Sequence, residues 1–220
     1  MALTKEEINR KLLHILSGCA IPMGILYIPE IPVVADTVPM IILGVLFVLS
    51  VIVEYIRFNV PSVQKLFYGM VGSMLRQEEN KKLTGSTYIF ASSFLCTIIF
   101  ARQPHISFMV LNLFILGDAV AAVVGLSIGR IKIGKKSLEG SVGCFILCLI
   151  LFFFVYPSVP LLLDRWQGRV PVTLVIIASL CITLFELIPI KITSKLVLND
   201  NLTVPVITGF VIKYLYPVLA

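Results

Sequence analysis

Apolar residues run through this chain in long blocks, separated by short polar segments. A helix needs about 20 mostly apolar residues to cross the hydrocarbon core of a bilayer. Seven blocks meet that description, near residues 12–28, 39–56, 85–101, 106–128, 140–163, 170–190 and 202–219. The first is the weakest, because His14 and Ser17 interrupt it. Between the second and third blocks, residues 60–75 mix apolar positions with Gln64 and Lys65 at helical spacing. That pattern predicts an amphipathic helix lying in the membrane interface. The expected fold is all-α: a polytopic helical bundle of seven spans plus one interfacial helix.

Composition strengthens this reading. Hydrophobic residues make up 58% of the 220 and charged residues only 14%, against about 25% charged in soluble domains. The polar segments are too short for a separate soluble domain, which needs about 50 residues. The chain therefore reads as one transmembrane domain over 1–220. The five cysteines, Cys19, Cys96, Cys144, Cys148 and Cys181, all sit in apolar blocks and read as small buried residues. The N-terminal segment resembles neither a cleavable signal nor an Arg/Ser-rich transit peptide, which favours a bacterial inner (cell) membrane.

Charge then sets orientation. With the N-terminus cytoplasmic, fourteen of the eighteen Lys and Arg fall on the cytoplasmic side. They are Lys5, Arg10, Lys11, Arg57, Lys65, Arg76, Lys81, Lys82, Arg130, Lys132, Lys135, Lys136, Lys191 and Lys195. This bias obeys the positive-inside rule. The net charge of +6 reads first as a topology signal and second as attraction for anionic headgroups or phosphates. No nucleic-acid partner is expected.

Ionisable groups within membrane helices are costly and are functional suspects by default. Asp118 lies mid-block, next to Gly117, and a helix break there would open it to a water-filled cavity. Glu54 and Arg57 stand i, i+3 apart, either as a structural ion pair or as the lining of a polar site. Gly125 and Gly129 form a G-x-x-x-G, which reads as close helix packing and leaves room for a homodimer. Lys132, Gly134, Lys135, Lys136, Ser137 and Glu139 follow, a set of cations, hydroxyl and glycine suited to phosphate. Its spacing is not that of a P-loop. Thr84, Ser86 and Thr87 open the third block, as anion ligands or as simple caps. Asn199, Asp200 and Asn201 open the seventh, and Glu186 ends the sixth. Carboxylates gathered on one face suit a hard cation such as Mg²⁺ shared with phosphate oxygens. The outer halves of the spans read as almost wholly apolar, which argues against a transport path.

These motifs together resemble the CTP-dependent lipid-alcohol kinases: dolichol kinase, phytol kinase and CTP-dependent diacylglycerol kinase. The matching residues are Arg10-Lys11-x-x-His14, Glu54-x-x-Arg57, Thr84-Gly85-x-Thr87-Tyr88, and Gly117-Asp118-Ala119 with Gly125, Gly129 and Lys132. Lys136-Ser137-x-Glu139-Gly140 and Asp200-Asn201-x-Thr203-x-Pro205 complete the set. The family is similar, more distantly, to the phosphatidate cytidylyltransferases that make CDP-diacylglycerol, which is the alternative reading; a small transporter is a lesser one. The resemblance implies a single transmembrane catalytic domain that moves a phosphoryl group from CTP to the hydroxyl of a lipid alcohol. It implies a divalent cation and an active site facing the cytoplasm. Asp118, Lys136, Glu139 and Asp200 are then the expected catalytic residues. Lys132, Lys135, Ser137, Gly125, Gly129, Gly134, Arg57 and Asn201 would hold the nucleotide. Asp118, Asp200 and Glu54 would meet the metal.

Overall fold

The computed structural model describes residues 5–72, 75, 77–188, 190 and 197–219. Arg76, Lys191 and Lys195 lie outside that set, as do the side chains of Arg10, Lys11 and His14.

Eight α-helices form among the described residues: α1 (Lys5–Tyr27), α2 (Val38–Asn59), α3 (Pro61–Val71), α4 (Gly85–Ile99), α5 (Pro104–Ser127), α6 (Leu138–Ile150), α7 (Val172–Leu187) and α8 (Asp200–Leu219). Seven of them answer the seven apolar blocks. α3 answers the amphipathic segment, with Leu66 and Met70 exposed on its apolar side. A π-turn over Leu151–Val155 and a short 3-10 turn extend α6 to Ser158.

Among the described residues, four elements are long and apolar enough to cross a membrane: α2, α5, the extended α6 and α8. α4 and α7 are apolar but have only 15 and 16 residues. At 1.5 Å per residue they reach about 22–24 Å, short of a ~30 Å hydrocarbon core. The start of α4 and the end of α7 both lie beside the polar cleft described below.

α5 is the central helix. It touches α1, α4, α6, α7 and α8, and every residue from His105 to Ile115 is buried. A helix that is apolar all round belongs inside. Close approach is set by small residues. A Cβ on Gly117 would come within 2.8 Å of Cys144 Sγ on α6, so α5 runs through Gly117 unbroken. The expected helix break is absent because that glycine serves packing.

The half of the bundle away from the cleft is less apolar than the sequence predicts. His105, Ser107 and Asn112 are buried there. Ser107 donates to the Cys96 carbonyl at 3.0 Å, and the Tyr156 hydroxyl donates to Asn112 Oδ1 at 3.2 Å. The Ser107 and Asn112 bonds run between helices, which is how buried polar side chains are kept in a membrane.

Candidate functional site

The segment between α5 and α6 is a two-residue β-hairpin, unexpected in an all-α chain. β1 (Lys132–Ile133) pairs antiparallel with β2 (Lys136–Ser137), with Lys132 opposite Ser137. Gly134 begins the turn at φ +62°, a conformation that glycine takes without steric cost. The signal was present in the sequence as Ile-Lys-Ile-Gly-Lys-Lys: a short alternation around a glycine.

The hairpin is locked at both ends. Ser137 caps α6, its Oγ accepting from the Gly140 N–H at 3.1 Å. The Glu139 carboxylate accepts from the backbone N–H groups of Arg130 (2.9 Å) and Ile131 (3.0 Å). Gly125, Gly129 and Gly140 let the hairpin sit close. A Cβ on Gly125 would lie 2.7 Å from Ser137 Oγ, and one on Gly140 would strike the Ala121 carbonyl. The G-x-x-x-G therefore packs within the chain, with Gly129 beyond the end of α5.

Behind the hairpin, Lys136 reaches two distant helices. Its ammonium lies 2.7 Å from Glu186 Oε1 at the end of α7 and 2.8 Å from Asp200 Oδ2 at the start of α8. It also donates to the Glu186 carbonyl. Burial alone would lower the lysine's affinity for its proton, but the two carboxylates outweigh it and raise its pKa above the ordinary value of 10.5. Lys136 is therefore a cation, not a base, at neutral pH. Asp200 Oδ1 is taken by the Asn201 N–H at 3.0 Å, and the Asn201 side chain donates to the Gly85 carbonyl at 3.1 Å. This last bond ties the start of α8 to the start of α4.

These elements surround a cleft of about 770 Å³. The ends of α4, α5, α6, α7 and α8 meet there. Lys82, Lys132 and Lys135 line it and are exposed. Deeper in it lie Asp118, Lys136, Glu186 and Asp200. Lys132 also leans on the Gly125 carbonyl at 3.4 Å. The cleft thus has a cationic rim over an acidic floor.

Glu54 and Arg57 come together with each other, behind the cleft. Arg57 is fully buried. Its Nε donates to Glu54 Oε2 at 2.9 Å, with a second bond from Nη2 to the same oxygen. Nη1 and Nη2 donate to the carbonyls of Glu79 (2.9 Å) and Lys82 (3.1 Å). The rings of Phe58 and Phe67 cover the guanidinium at 4.4 and 4.9 Å. Glu54 Oε1 accepts from the Thr84 N–H at 2.8 Å and from the Thr87 hydroxyl at 3.4 Å. Glu79 Oε1 takes the Gly85 N–H at 2.8 Å. Protein carboxylates therefore serve the N-terminus of α4. The pair fixes the 77–84 segment, which presents Glu79, Lys82 and Leu83 to the cleft.

The structure brings Asp118, Lys132, Lys135, Lys136, Ser137, Gly125, Gly134, Asp200 and Asn201 to one cleft. It places Glu139, Glu54 and Arg57 in its supports, and Gly129 against Ser137. Glu186, Glu79 and Tyr88 line it as well; nothing in the sequence links Glu186 to Lys136, 50 residues away. Among the described residues, no three His, Cys, Asp or Glu side chains form a metal cage. A second, apolar groove of about 550 Å³ runs along α7 beside Leu184. Glu186 is about 200° further around that helix, so the groove is separate from the cleft.

Comparison with known proteins bears out the resemblance to the CTP-dependent lipid kinases. The chain is 26% identical to CTP-dependent diacylglycerol kinase 1 of Schizosaccharomyces pombe, over 93% of this chain and 91% of that one. It is 26% identical to the probable chloroplastic phytol kinase of Triticum aestivum, over 97% of this chain and 69% of that one. An uncharacterized protein of Rickettsia prowazekii is 27% identical over 90% of this chain and 89% of its own. No protein-family model matches, and no solved structure matches.

Proposed function

We propose that this chain is an integral membrane lipid kinase that transfers the γ-phosphoryl group of CTP to the hydroxyl of a lipid alcohol. The acceptor is diacylglycerol, a phytol-like alcohol or a polyprenol. The observation that carries the reading is the cleft with a lysine rim over an acidic floor, set in a bundle of apolar helices. The kinase relatives support it, and the positive-inside bias of the sequence favours a site on the cytoplasmic face of the membrane.

Phosphoryl transfer needs alignment and charge neutralisation more than covalent help from the protein. Lys82, Lys132 and Lys135 on the rim neutralise the triphosphate. Lys136 holds Glu186 and Asp200 in place and adds positive charge at the floor. Glu139, Ser137 and the glycines at 125, 129, 134 and 140 hold the hairpin so that its lysines face the cleft. Arg57 and Glu54 do the same for Lys82. CTP as donor follows the relatives' names.

A magnesium ion fits this donor set. Mg²⁺ takes one or two carboxylates and fills its remaining positions with water and phosphate oxygens, so it needs no all-protein cage. Asp118 and Asp200, which both line the cleft, are the carboxylates that would meet it. Bound there, the ion would neutralise charge on the transferring phosphate.

The test uses purified protein in detergent or nanodiscs, γ-labelled CTP or ATP, and a panel of diacylglycerol, phytol and polyprenol. The expected result is a labelled lipid phosphate, with CTP preferred and the activity lost in Asp118→Ala. Conversion of phosphatidate to a CDP-lipid, with no labelled lipid phosphate from any alcohol, overturns the kinase reading for the cytidylyltransferase.

A further inference from the structure

One carboxylate oxygen of the acidic floor is buried without a hydrogen-bond partner. Asp200 has both carboxylate oxygens engaged, by Lys136 and by the Asn201 N–H. Glu54 has both engaged, and so does Glu139. Glu186 has only Oε1 engaged, by Lys136. Its Oε2 is buried without a hydrogen-bond partner, and the residue is 3% exposed. A buried charged oxygen without a donor is costly, and native proteins keep very few. Such an oxygen in a cleft calls for a donor that the protein itself does not supply.

Three properties of the site describe that donor. It enters the cleft, because Glu186 lines it. It has room there, because small residues such as Ala121, Ala122 and Gly140 line the same cleft. It brings a hydrogen, because an ionised carboxylate oxygen only accepts and Lys136 already supplies this carboxylate's cationic partner. A lipid alcohol provides one O–H at the end of an apolar body. Phosphate oxygens are excluded as partners of this atom by charge. Lys136 pins the other half of the carboxylate from the side of the hairpin, so Oε2 is pre-aimed.

We propose that Glu186 is the catalytic residue that receives the acceptor alcohol, with Oε2 accepting the hydrogen bond of the lipid hydroxyl. This rests on the kinase reading. In the transfer step the alcohol oxygen forms a bond to the γ-phosphorus, and the bond from that phosphorus to the β–γ bridging oxygen breaks. The alcohol proton passes to Glu186 Oε2, and CDP leaves, its β-phosphate keeping the bridging oxygen and the electron pair of the broken bond. The proton then passes to water.

The experiment compares wild type, Glu186→Gln and Glu186→Asp for kcat, for KM of the alcohol, and for CTP affinity measured by direct binding. Glu186→Gln keeps the shape but loses the anionic acceptor, so kcat falls on the order of 100-fold or more. CTP affinity stays within about twofold of wild type, since the site of loss is the hydroxyl, not the nucleotide. Glu186→Asp withdraws the carboxylate by one methylene; it raises the alcohol KM and keeps more turnover than the Gln variant. Melting temperature in detergent checks folding, and if Glu186→Gln does not fold, Glu186→Asp decides alone. Wild-type-like kcat and alcohol KM in either variant overturn the proposal. So does a loss of CTP binding or a raised divalent-cation requirement with alcohol kinetics unchanged. Absence of labelled lipid phosphate from wild type is a different result: it defeats the kinase reading itself.

Discussion

Removing Arg57 tests how the cleft is supported. Its guanidinium is fully buried and satisfies Glu54 Oε2 and two backbone carbonyls. In Arg57→Met, a Glu54 side chain that is 3% exposed loses its cation. Breaking a buried pair from one side costs about 3–5 kcal/mol. For a chain of this size each kcal/mol moves the melting temperature by about 2–4 °C, so the expected drop is on the order of 6–20 °C. The double variant Glu54→Gln/Arg57→Met no longer buries an unpaired charge, and it should recover about 1–3 kcal/mol of that loss. Arg57→Lys falls between, because an ammonium cannot reach a carboxylate and two carbonyls with a planar fork. The assay is thermal unfolding of Arg57→Met, Glu54→Gln, the double variant, Arg57→Lys and wild type in one detergent, with turnover measured well below each transition. Turnover should fall in Arg57→Met even where the protein is folded, because Glu79 and Lys82 lose their backbone anchors. A melting temperature for Arg57→Met within about 2 °C of wild type would refute the reasoning. A double variant as unstable as the sum of the singles would refute it too.

Two further predictions follow from the hairpin. Lys136 has a pKa raised above its ordinary 10.5, so its stabilising contribution is fully present below that value and is lost only as pH rises through the raised one. The melting-temperature gap between wild type and Lys136→Met should therefore be constant from about pH 7 to about pH 10 and shrink only above that range; a gap that closes near neutrality contradicts the pairing with Glu186 and Asp200. Gly140→Ala drives a Cβ into the Ala121 carbonyl, a backbone contact that cannot rotate away. Overpacking of this kind costs about 1–3 kcal/mol, read as a lower melting temperature, and turnover should fall further because the hairpin is displaced.

Much of the fold is legible in the sequence. Long apolar blocks can satisfy their backbone in lipid only as helices or as closed barrels, and blocks of this length favour helices. The seven blocks and the amphipathic segment accordingly become α1–α8. The exceptions share a cause. Gly117 looked like a break beside Asp118 but is a contact surface for Cys144. Gly125 and Gly129 looked like one helix face, but the helix ends between them. Glycine permits both a turn and a close approach, and the partner across the interface selects which.

The site was legible as a set of residue types and not as a geometry. Lys132, Lys135, Lys136, Asp118 and Asp200 stand out because charge is expensive in such a chain. That cost alone does not separate Asp200, which lines the cleft, from Glu139, which ties down a hairpin, or Glu54, which braces a loop. Glu186 shows the limit most clearly. Its role depends on Lys136, and the bond joins residues 50 apart in sequence, while that to Asp200 spans 64. Which segments leave water can be read residue by residue, because it follows from local transfer energies. Which charges meet is set by the folded bundle. Lipid is as apolar as the helices it surrounds, so helix pairing and rotation come from packing and from polar contacts between distant segments.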